Sequence, residues 1–203
     1  ELSLGLVGSE MCIRDRKRNR ALKDIMPQVV EPCEPFNIGS FKVEFFRVCH
    51  SIPDSMGIAL TTPLGTVIHT GDFKIDHTPV DGKTTDISTI SRYGSEGVLL
   101  LLSDSPYAEI PGYTPSEQVV GESLDKAIGE AHGRVLVASF ASLISRIQQV
   151  MDAAYKHGRK MVVIGRSMVE NVNLAIKIGY LNPGPDLLVT LEECTRLPND
   201  QIV

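Results

Sequence analysis

The sequence predicts an α/β protein in two parts, because its secondary-structure pattern changes about halfway along the chain. Short β-rich segments joined by turn residues occupy the first part, which is typical of antiparallel sheet. Apolar runs then alternate with amphipathic helices, and this order requires a parallel sheet with right-handed crossovers. The change falls around residues 109–113, so we expect one domain over residues 17–108 and another over residues 109–203.

The first part contains three predicted strands and a loop. Residues 41–48, FKVEFFRV, alternate loosely and are rich in β-forming side chains. Residues 56–62 and 66–70 are two further strands, and the Pro-Leu-Gly turn between them predicts a hairpin. Residues 76–86 are polar and contain proline and glycine, which indicates a loop.

Residues 98–102, VLLLL, are a continuous apolar run typical of a strand buried on both faces, and this strand could belong to either part. Thr114 is expected to cap the next helix, with Pro115 in its first position and Glu117 closing a capping box. Two more strands, each followed by a helix, complete the alternation. Those strands are predicted at residues 135–139 and 160–164, with one helix from about Leu143 to near Gly158 and another over residues 172–178.

Composition and charge exclude several classes of protein. Of the 203 residues, 42% are hydrophobic and 22% are charged, as in ordinary globular domains. No apolar run reaches the roughly 18 residues that a membrane-spanning helix needs. The four cysteines form no C-x-x-C pair, so we expect no disulfide framework, no cysteine zinc site and a cytoplasmic location. A net charge of −5 argues against binding nucleic acid by bulk charge alone.

Residues 1–16, ELSLGLVGSEMCIRDR, look like a translated sequencing adapter. They lack the order of basic, apolar and small residues that marks a signal peptide. The alternative is a native N-terminal tail. We assign them no function and leave them out of the fold prediction.

Two residues stand where a metal site would be built. His50, in VCHSIPDSMG, and Asp72, in HTGDFK, each follow a predicted strand, where loops carry functional side chains. A histidine supplies a nitrogen ligand, and an aspartate can bridge two cations through its two oxygens. Taken alone, the pattern favours a hydrogen-bonded loop histidine and a Gly-Asp turn over a metal site.

Several motifs resemble the ribonuclease J family, whose members are metallo-β-lactamase-fold nucleases with an inserted β-CASP domain. The longest is FFRVCHSIPDSMGIALTTPLGTVIHTGDFKIDHTP, over residues 45–79. GVLLLLSDS, PGYTPSE, GRVLVASFAS, RIQQVMDAA and GRKMVVIGRSM follow in the family's order, and the similarity covers residues 35–203. The resemblance implies part of a metallo-β-lactamase αββα sandwich over residues 17–108. Part of a β-CASP domain with a parallel sheet would follow over residues 109–203.

The resemblance also implies roles for single residues. His50 matches a histidine ligand of the two-zinc centre, and Asp72 matches the carboxylate that bridges the two zinc ions. Asp104, in Ser-Asp-Ser, matches an acidic motif that orients the histidine protonating the leaving oxygen, a catalytic role. A turn or helix cap is the alternative for Asp104.

Ser142 and Arg146 lie where the family lines its RNA channel. Backbone amides at a helix N-terminus attract phosphate, and an arginine adds a bidentate cation. The alternative for Arg146 is a place on a solvated helix face. Relatives often have Asn and His at the positions of Leu143 and Ser145. We therefore expect this chain to bind phosphate more weakly here, or through a different arrangement of groups.

The loop beside Asp104 also departs from the family. Members commonly have S-D-S-T-N-A-E, whereas this chain has Pro106 and Tyr107 in place of Thr and Asn. We expect these two residues to reshape the loop. The H-x-H-x-D-H motif that supplies most metal ligands in the family does not occur in the sequence and would lie upstream of Ala21. We therefore expect a truncated segment that is inactive as given.

The function implied is zinc-dependent hydrolysis of RNA phosphodiesters, both 5′-3′ exonucleolytic and endonucleolytic, in RNA processing and decay. The implied partners are RNA and, for the full-length protein, further copies of itself as a homo-oligomer, with no membrane. One alternative is another hydrolase of the metallo-β-lactamase fold, acting on DNA or a small ester. The other is a non-catalytic RNA-binding subunit without metals.

Overall fold

The structure is a computed structural model that describes residues 29–203, so the adapter-like residues 1–16 lie outside the described residues. The described residues form two compact units. The first comprises residues 29–50 and 54–114, and the second comprises residues 51–53 and 115–203. No helix within the described range has both the length and the apolar character needed to cross a bilayer.

The first unit is built on a five-stranded sheet in which the strands follow sequence order. The first four strands pair antiparallel, and the fifth pairs parallel to the fourth. The predicted hairpin is confirmed, because Thr62 stands opposite Gly65 and its hydroxyl donates to the Gly65 carbonyl at 2.8 Å. The strands are β1 (Phe36–Ile38), β2 (Phe41–Arg47), β3 (Met56–Thr62), β4 (Gly65–His69) and β5 (Val98–Leu102).

One helix, α1 (Ile87–Glu96), completes the core of this unit. Alternation along β2 places Glu44 and Phe46 on one face, and Tyr93 of α1 packs against the Phe46 cluster. Glu44 is buried, and its carboxylate accepts hydrogen bonds from Arg92 at 2.5 Å and from the Tyr93 hydroxyl at 2.7 Å. The hydrogen bonds of that buried charge therefore tie the helix to the sheet.

The prediction that residues 98–102 are buried on both faces is wrong for the described structure. β5 pairs only with β4 and lies at the edge of the sheet. The described residues therefore leave its four leucines between 44% and 61% exposed. An apolar run predicts a strand but does not show how many neighbours cover it.

Asp86 caps α1 and has a strongly acidic carboxyl. It accepts hydrogen bonds from the Thr89 amide at 3.0 Å and the Ser88 hydroxyl at 2.5 Å. Burial acts to raise its pKa, but hydrogen bonds from Ser88, Thr89 and Cys33 prevail and lower that pKa from 3.8 to about 2. A depressed carboxyl pKa means that protonation weakens the folded state.

We therefore expect Asp86 to contribute stability that is complete above pH of about 4 and is lost as the pH falls toward 2. Asp86→Asn keeps a capping side chain but removes the titration. Between pH of about 4 and 2, the unfolding free energy of Asp86→Asn should fall less steeply than that of the wild type. Urea unfolding curves followed by circular dichroism measure it. Asp81→Asn in the nearby loop is the control, and equal slopes for the wild type and Asp86→Asn would contradict the assignment.

The second unit is mainly helical. Its helices are α2 (Glu117–Glu130), α3 (Ile144–Lys156), α4 (Arg166–Lys177) and the short α5 (Leu191–Cys194), followed by a 3-10 turn at Asn199–Gln201. The predicted cap of α2 at Thr114 is wrong. Ser116 is the cap, and its hydroxyl accepts from the Gln118 amide at 3.2 Å. The backbone of Ser116 is extended (ψ 147°), so Thr114, two residues earlier, lies too far from the amides of the first turn to cap them.

The parallel pairing predicted for this unit is present as isolated bridges rather than full strands. Lys160 pairs in parallel with Ile202, and Met161 pairs in parallel with Leu188. The Val135 amide donates to the Ile202 carbonyl at 3.1 Å, so the segment at residues 135–139 joins the same region. Each pairing extends over a single residue pair, too short for a continuous ladder.

Candidate metal centre

His50 and Asp72 meet at one end of the sheet in the first unit. Nε2 of His50 lies 3.9 Å from Oδ2 of Asp72. The His50 side chain is 28% exposed and the Asp72 side chain is 79% exposed, so both are open to a ligand from solvent. Residues that the sequence separates by a whole hairpin are therefore brought together by the fold.

Backbone pairing beyond the ends of the strands accounts for this approach. Cys49, just before His50, forms an antiparallel bridge with Lys74, two residues after Asp72. The Lys74 amide donates to the Cys49 carbonyl at 2.8 Å. This bridge holds the two ligand-bearing segments side by side.

The turn before Asp72 depends on Gly71. Its φ is +64°, in the region that favours glycine. A Cβ at this position would lie 2.8 Å from the Met56 carbonyl oxygen. The Gly71 amide also donates to Nδ1 of His69 at 2.9 Å, so His69 shapes the turn. Any other residue at position 71 would displace the segment that carries Asp72.

Asp104 lies beside the same turn, directly after β5. Its amide donates to the Thr70 hydroxyl at 3.0 Å, and its Oδ2 accepts from the Phe73 amide at 3.3 Å. Asp104 is not a helix cap. The structure brings it to the loop of Asp72, where its carboxylate holds the backbone next to that residue.

The spacing and the donor atoms of His50 and Asp72 fit two of the ligands of a zinc site. Zinc bonds of about 2.0–2.2 Å at a tetrahedral angle place two donor atoms roughly 3.4 Å apart. The observed 3.9 Å is close to that spacing, and one nitrogen with one carboxylate oxygen is a common zinc donor pair. Within residues 29–203, no group of three or more His, Cys, Asp or Glu side chains could hold a metal ion. The described residues therefore supply a partial donor set.

Ser142 and Arg146 lie together in the second unit. Ser142 is exposed and comes just before α3, whose cap residue Leu143 makes no side-chain hydrogen bond. Arg146 is only 24% exposed, and its Nη2 donates to Oε2 of Glu117 at 2.6 Å. Arg146 therefore forms a half-buried ion pair that joins α3 to α2, rather than standing on a solvated helix face.

Three residues that shape this centre had no role in the sequence analysis. They are His69, Thr70 and Thr85, the last of which accepts a hydrogen bond from the Cys49 amide and donates one to the Lys74 carbonyl, both at 2.9 Å. His69 and Thr70 directly precede the Gly-Asp turn, so their position in the sequence could have indicated a role in it. Thr85 lies in a polar loop, and no local pattern distinguishes it from its neighbours.

Comparison with known proteins gives consistent matches. A family model described as the β-CASP domain of ribonuclease J matches residues 132–203. Ribonuclease J of Thermus thermophilus is 48% identical over 175 residues, covering 86% of this chain and 30% of the relative. Ribonuclease J of Helicobacter pylori strain 26695 is 41% identical over 202 residues, covering 100% of this chain and 29% of the relative.

Ribonuclease J2 of Bacillus subtilis is also 41% identical over 202 residues, with 100% of this chain and 36% of the relative covered. The chain thus spans about a third of the length of the relatives it matches. A crystal structure of a protein of unknown function from Enterococcus faecalis V583 has a TM-score of 0.61 at 14% identity. The structural match covers 89% of this chain and 45% of the Enterococcus faecalis chain. This likeness concerns the fold alone, and with the family match it confirms the predicted α/β class.

Proposed function

Because the chain belongs to the ribonuclease J family, we propose that it carries part of the metal centre of a zinc-dependent ribonuclease. The full-length protein would hydrolyse RNA phosphodiester bonds, both from the 5′ end and internally. It would act in the cytoplasm as a homo-oligomer. The approach of His50 to Asp72, at 3.9 Å, is the observation that carries the proposal.

In this proposal His50 and Asp72 bind the metal and Asp104 supports them. Zinc, when bound, supplies a Lewis acid that neutralises charge developing on the phosphate. His50 would donate one ring nitrogen, and the exposed Asp72 carboxylate would offer an oxygen to each of two zinc ions. The donors missing from residues 29–203 would have to come from elsewhere in the full-length protein.

Asp104 has the geometry for two tasks. Its Oδ2 holds the Phe73 amide, which fixes the loop that carries Asp72. Among the described residues no hydrogen bond to its Oδ1 is present, which leaves that oxygen able to accept one from an acid. We propose that Asp104 positions the histidine that protonates the leaving oxygen.

The proposal is tested by a substrate panel on the full-length protein with zinc present. We expect cleavage of 5′-monophosphorylated RNA and little or no cleavage of matched DNA or of small esters. Preference for DNA or an ester would favour another hydrolase of the same fold. Absence of bound zinc in the purified protein, with RNA binding retained, would favour a non-catalytic subunit.

Ser142 and Arg146 are proposed to contact the RNA backbone, and Arg146 allows a charge test. Replacing Arg146 by Gln should weaken RNA binding uniformly across sequences and reduce the salt slope by about 1. Glu117→Gln should strengthen binding, because it frees the guanidinium from its partner. Anisotropy titrations over a series of salt concentrations provide the measurement.

Lys126→Gln, at an exposed residue on α2, is the matched control for loss of one positive charge. An unchanged salt slope for Arg146→Gln, together with lowered thermal stability, would assign Arg146 to the α2–α3 contact alone. Ser142→Ala, which removes only a hydroxyl, should have a smaller effect than Arg146→Gln.

A further inference from the structure

We propose that Thr85 is a positioning residue that sets the spacing between His50 and Asp72. The inference rests on the proposed metal role of those two residues. Thr85 lies outside the two ligand segments and is only 5% exposed. Its hydroxyl, in the polar loop at residues 76–86, contacts both segments.

The Thr85 hydroxyl makes one hydrogen bond to each segment. Oγ1 accepts from the Cys49 amide at 2.9 Å and donates to the Lys74 carbonyl at 2.9 Å. Cys49 is adjacent to His50 in the chain, and Lys74 is two residues from Asp72. A single hydroxyl therefore links the two ligand-bearing segments, through one hydrogen bond that it accepts and one that it donates. We call this pair of hydrogen bonds the bracket.

The bracket matters because the direct pairing between these segments is minimal. Cys49 and Lys74 form an isolated bridge, with one backbone hydrogen bond of 2.8 Å from the Lys74 amide to the Cys49 carbonyl. A single backbone hydrogen bond does not by itself fix the angle between two segments. The two bonds through Thr85 close a ring around the bridge and fix its angle.

The residue that follows Thr85 in the chain holds it in place through two interactions. The next residue, Asp86, donates its amide to the Arg47 carbonyl at 3.0 Å, at the end of β2. Asp86 also caps α1, so the start of a helix anchors the bracket. The hydroxyl is thus carried by a loop residue that directly precedes the capped start of a helix, which helps to hold it in place, as a group that orients metal ligands should be held.

The expected effect is on metal affinity rather than on chemistry. Loss of a group that orients metal ligands typically lowers affinity by about 10–100-fold. Thr85→Val keeps the shape of the side chain and removes both hydrogen bonds. Thr85→Ser keeps the hydroxyl and should stay close to the wild type.

The experiment has two arms. In the full-length protein, zinc affinity is measured by competition with a chelator for the wild type, Thr85→Val and Thr85→Ser. In the 203-residue chain without zinc, amide hydrogen exchange is measured at Cys49. The matched control in both arms is Thr66→Val, which removes a buried hydroxyl whose partner is Thr61 and not the ligand segments.

We expect Thr85→Val to bind zinc at least about 10-fold more weakly and to exchange the Cys49 amide faster, with Thr66→Val unchanged in both. Unchanged zinc affinity and unchanged exchange in Thr85→Val would overturn the proposal. If that variant does not fold, the wild type still decides the question. A Cys49 amide that exchanges as fast as exposed loop amides would also overturn it.

Failure of the proposed function gives a different result. In that case the wild-type protein binds no zinc, while the exchange arm still reports whether Thr85 holds the two segments together. Protection of the Cys49 amide that depends on Thr85 supports the bracket even then.

Discussion

Replacing His50 or Asp72 by alanine is expected to abolish RNA cleavage by the full-length protein. Residues that only orient metal ligands cost about 10–100-fold when removed, so loss of a ligand should cost more than about 100-fold. Neither side chain belongs to the core cluster of the first unit, so the fold should persist. Single-turnover cleavage of a labelled 5′-monophosphorylated RNA measures the effect.

Two exposed residues provide controls for these substitutions. His132→Ala removes an exposed imidazole of the second unit, and Asp81→Ala removes an exposed carboxylate of the loop at residues 76–86; neither residue is a proposed ligand. We expect both variants to cleave at the wild-type rate. Undiminished cleavage in either His50→Ala or Asp72→Ala would refute the assignment of that residue as a ligand.

Replacing Phe46 by alanine is expected to cause the largest loss of stability in the first unit. The ring is completely buried and lies at the centre of the core cluster, with Val48, Ala59, Ile68 and Tyr93. Phe→Ala substitutions in such positions cost about 3–5 kcal/mol, a large part of the roughly 5–15 kcal/mol that stabilises a domain. Urea unfolding monitored by circular dichroism gives the free energy.

Phe41→Ala is the matched control, because Phe41 lies on the same strand and is 43% exposed. We expect it to cost much less. Gly57 supplies a second check, since a Cβ there would lie 2.3 Å from Cζ of Phe46. Gly57→Ala should therefore destabilise the wild type more than it destabilises Phe46→Ala, whereas additive costs would contradict the packing described.

The sequence predicted strands β2 to β5 of the first unit, because strand and turn patterns are local, but it did not predict β1 or the helix α1. The hairpin of β3 and β4 follows from β-forming residues on either side of a Pro-Leu-Gly turn. Burial was harder to predict. The leucines of β5 form a strand as expected, but their exposure depends on which neighbours cover the sheet, and a run of apolar letters does not show this.

Helix starts illustrate a second limit. Thr114, Pro115 and Glu117 satisfy a capping pattern, yet Ser116 caps α2. Thr114 and Ser116 both carry a hydroxyl that could accept a first-turn amide, and in the structure Ser116 accepts from Gln118. In the second unit the helices were predicted, but the strands predicted at residues 135–139 and 160–164 do not form, and the short parallel pairings of Lys160 and Met161 depend on distant partners.

The candidate metal centre was predictable only in its principal residues. His50 and Asp72 follow strands and match family motifs, so the sequence singles them out. The residues that hold them, Thr70 and Thr85, act through hydroxyl bonds to backbone atoms 11 to 36 positions away. Such contacts leave no periodic or local signal in the sequence.

The most direct measurement is an anomalous-difference map at the zinc absorption edge, from crystals of the full-length protein grown with zinc. A peak within about 2.0–2.2 Å of a His50 ring nitrogen and of an Asp72 carboxylate oxygen is the predicted result. Zinc bound by other residues, with these two side chains turned away from it, would contradict the account.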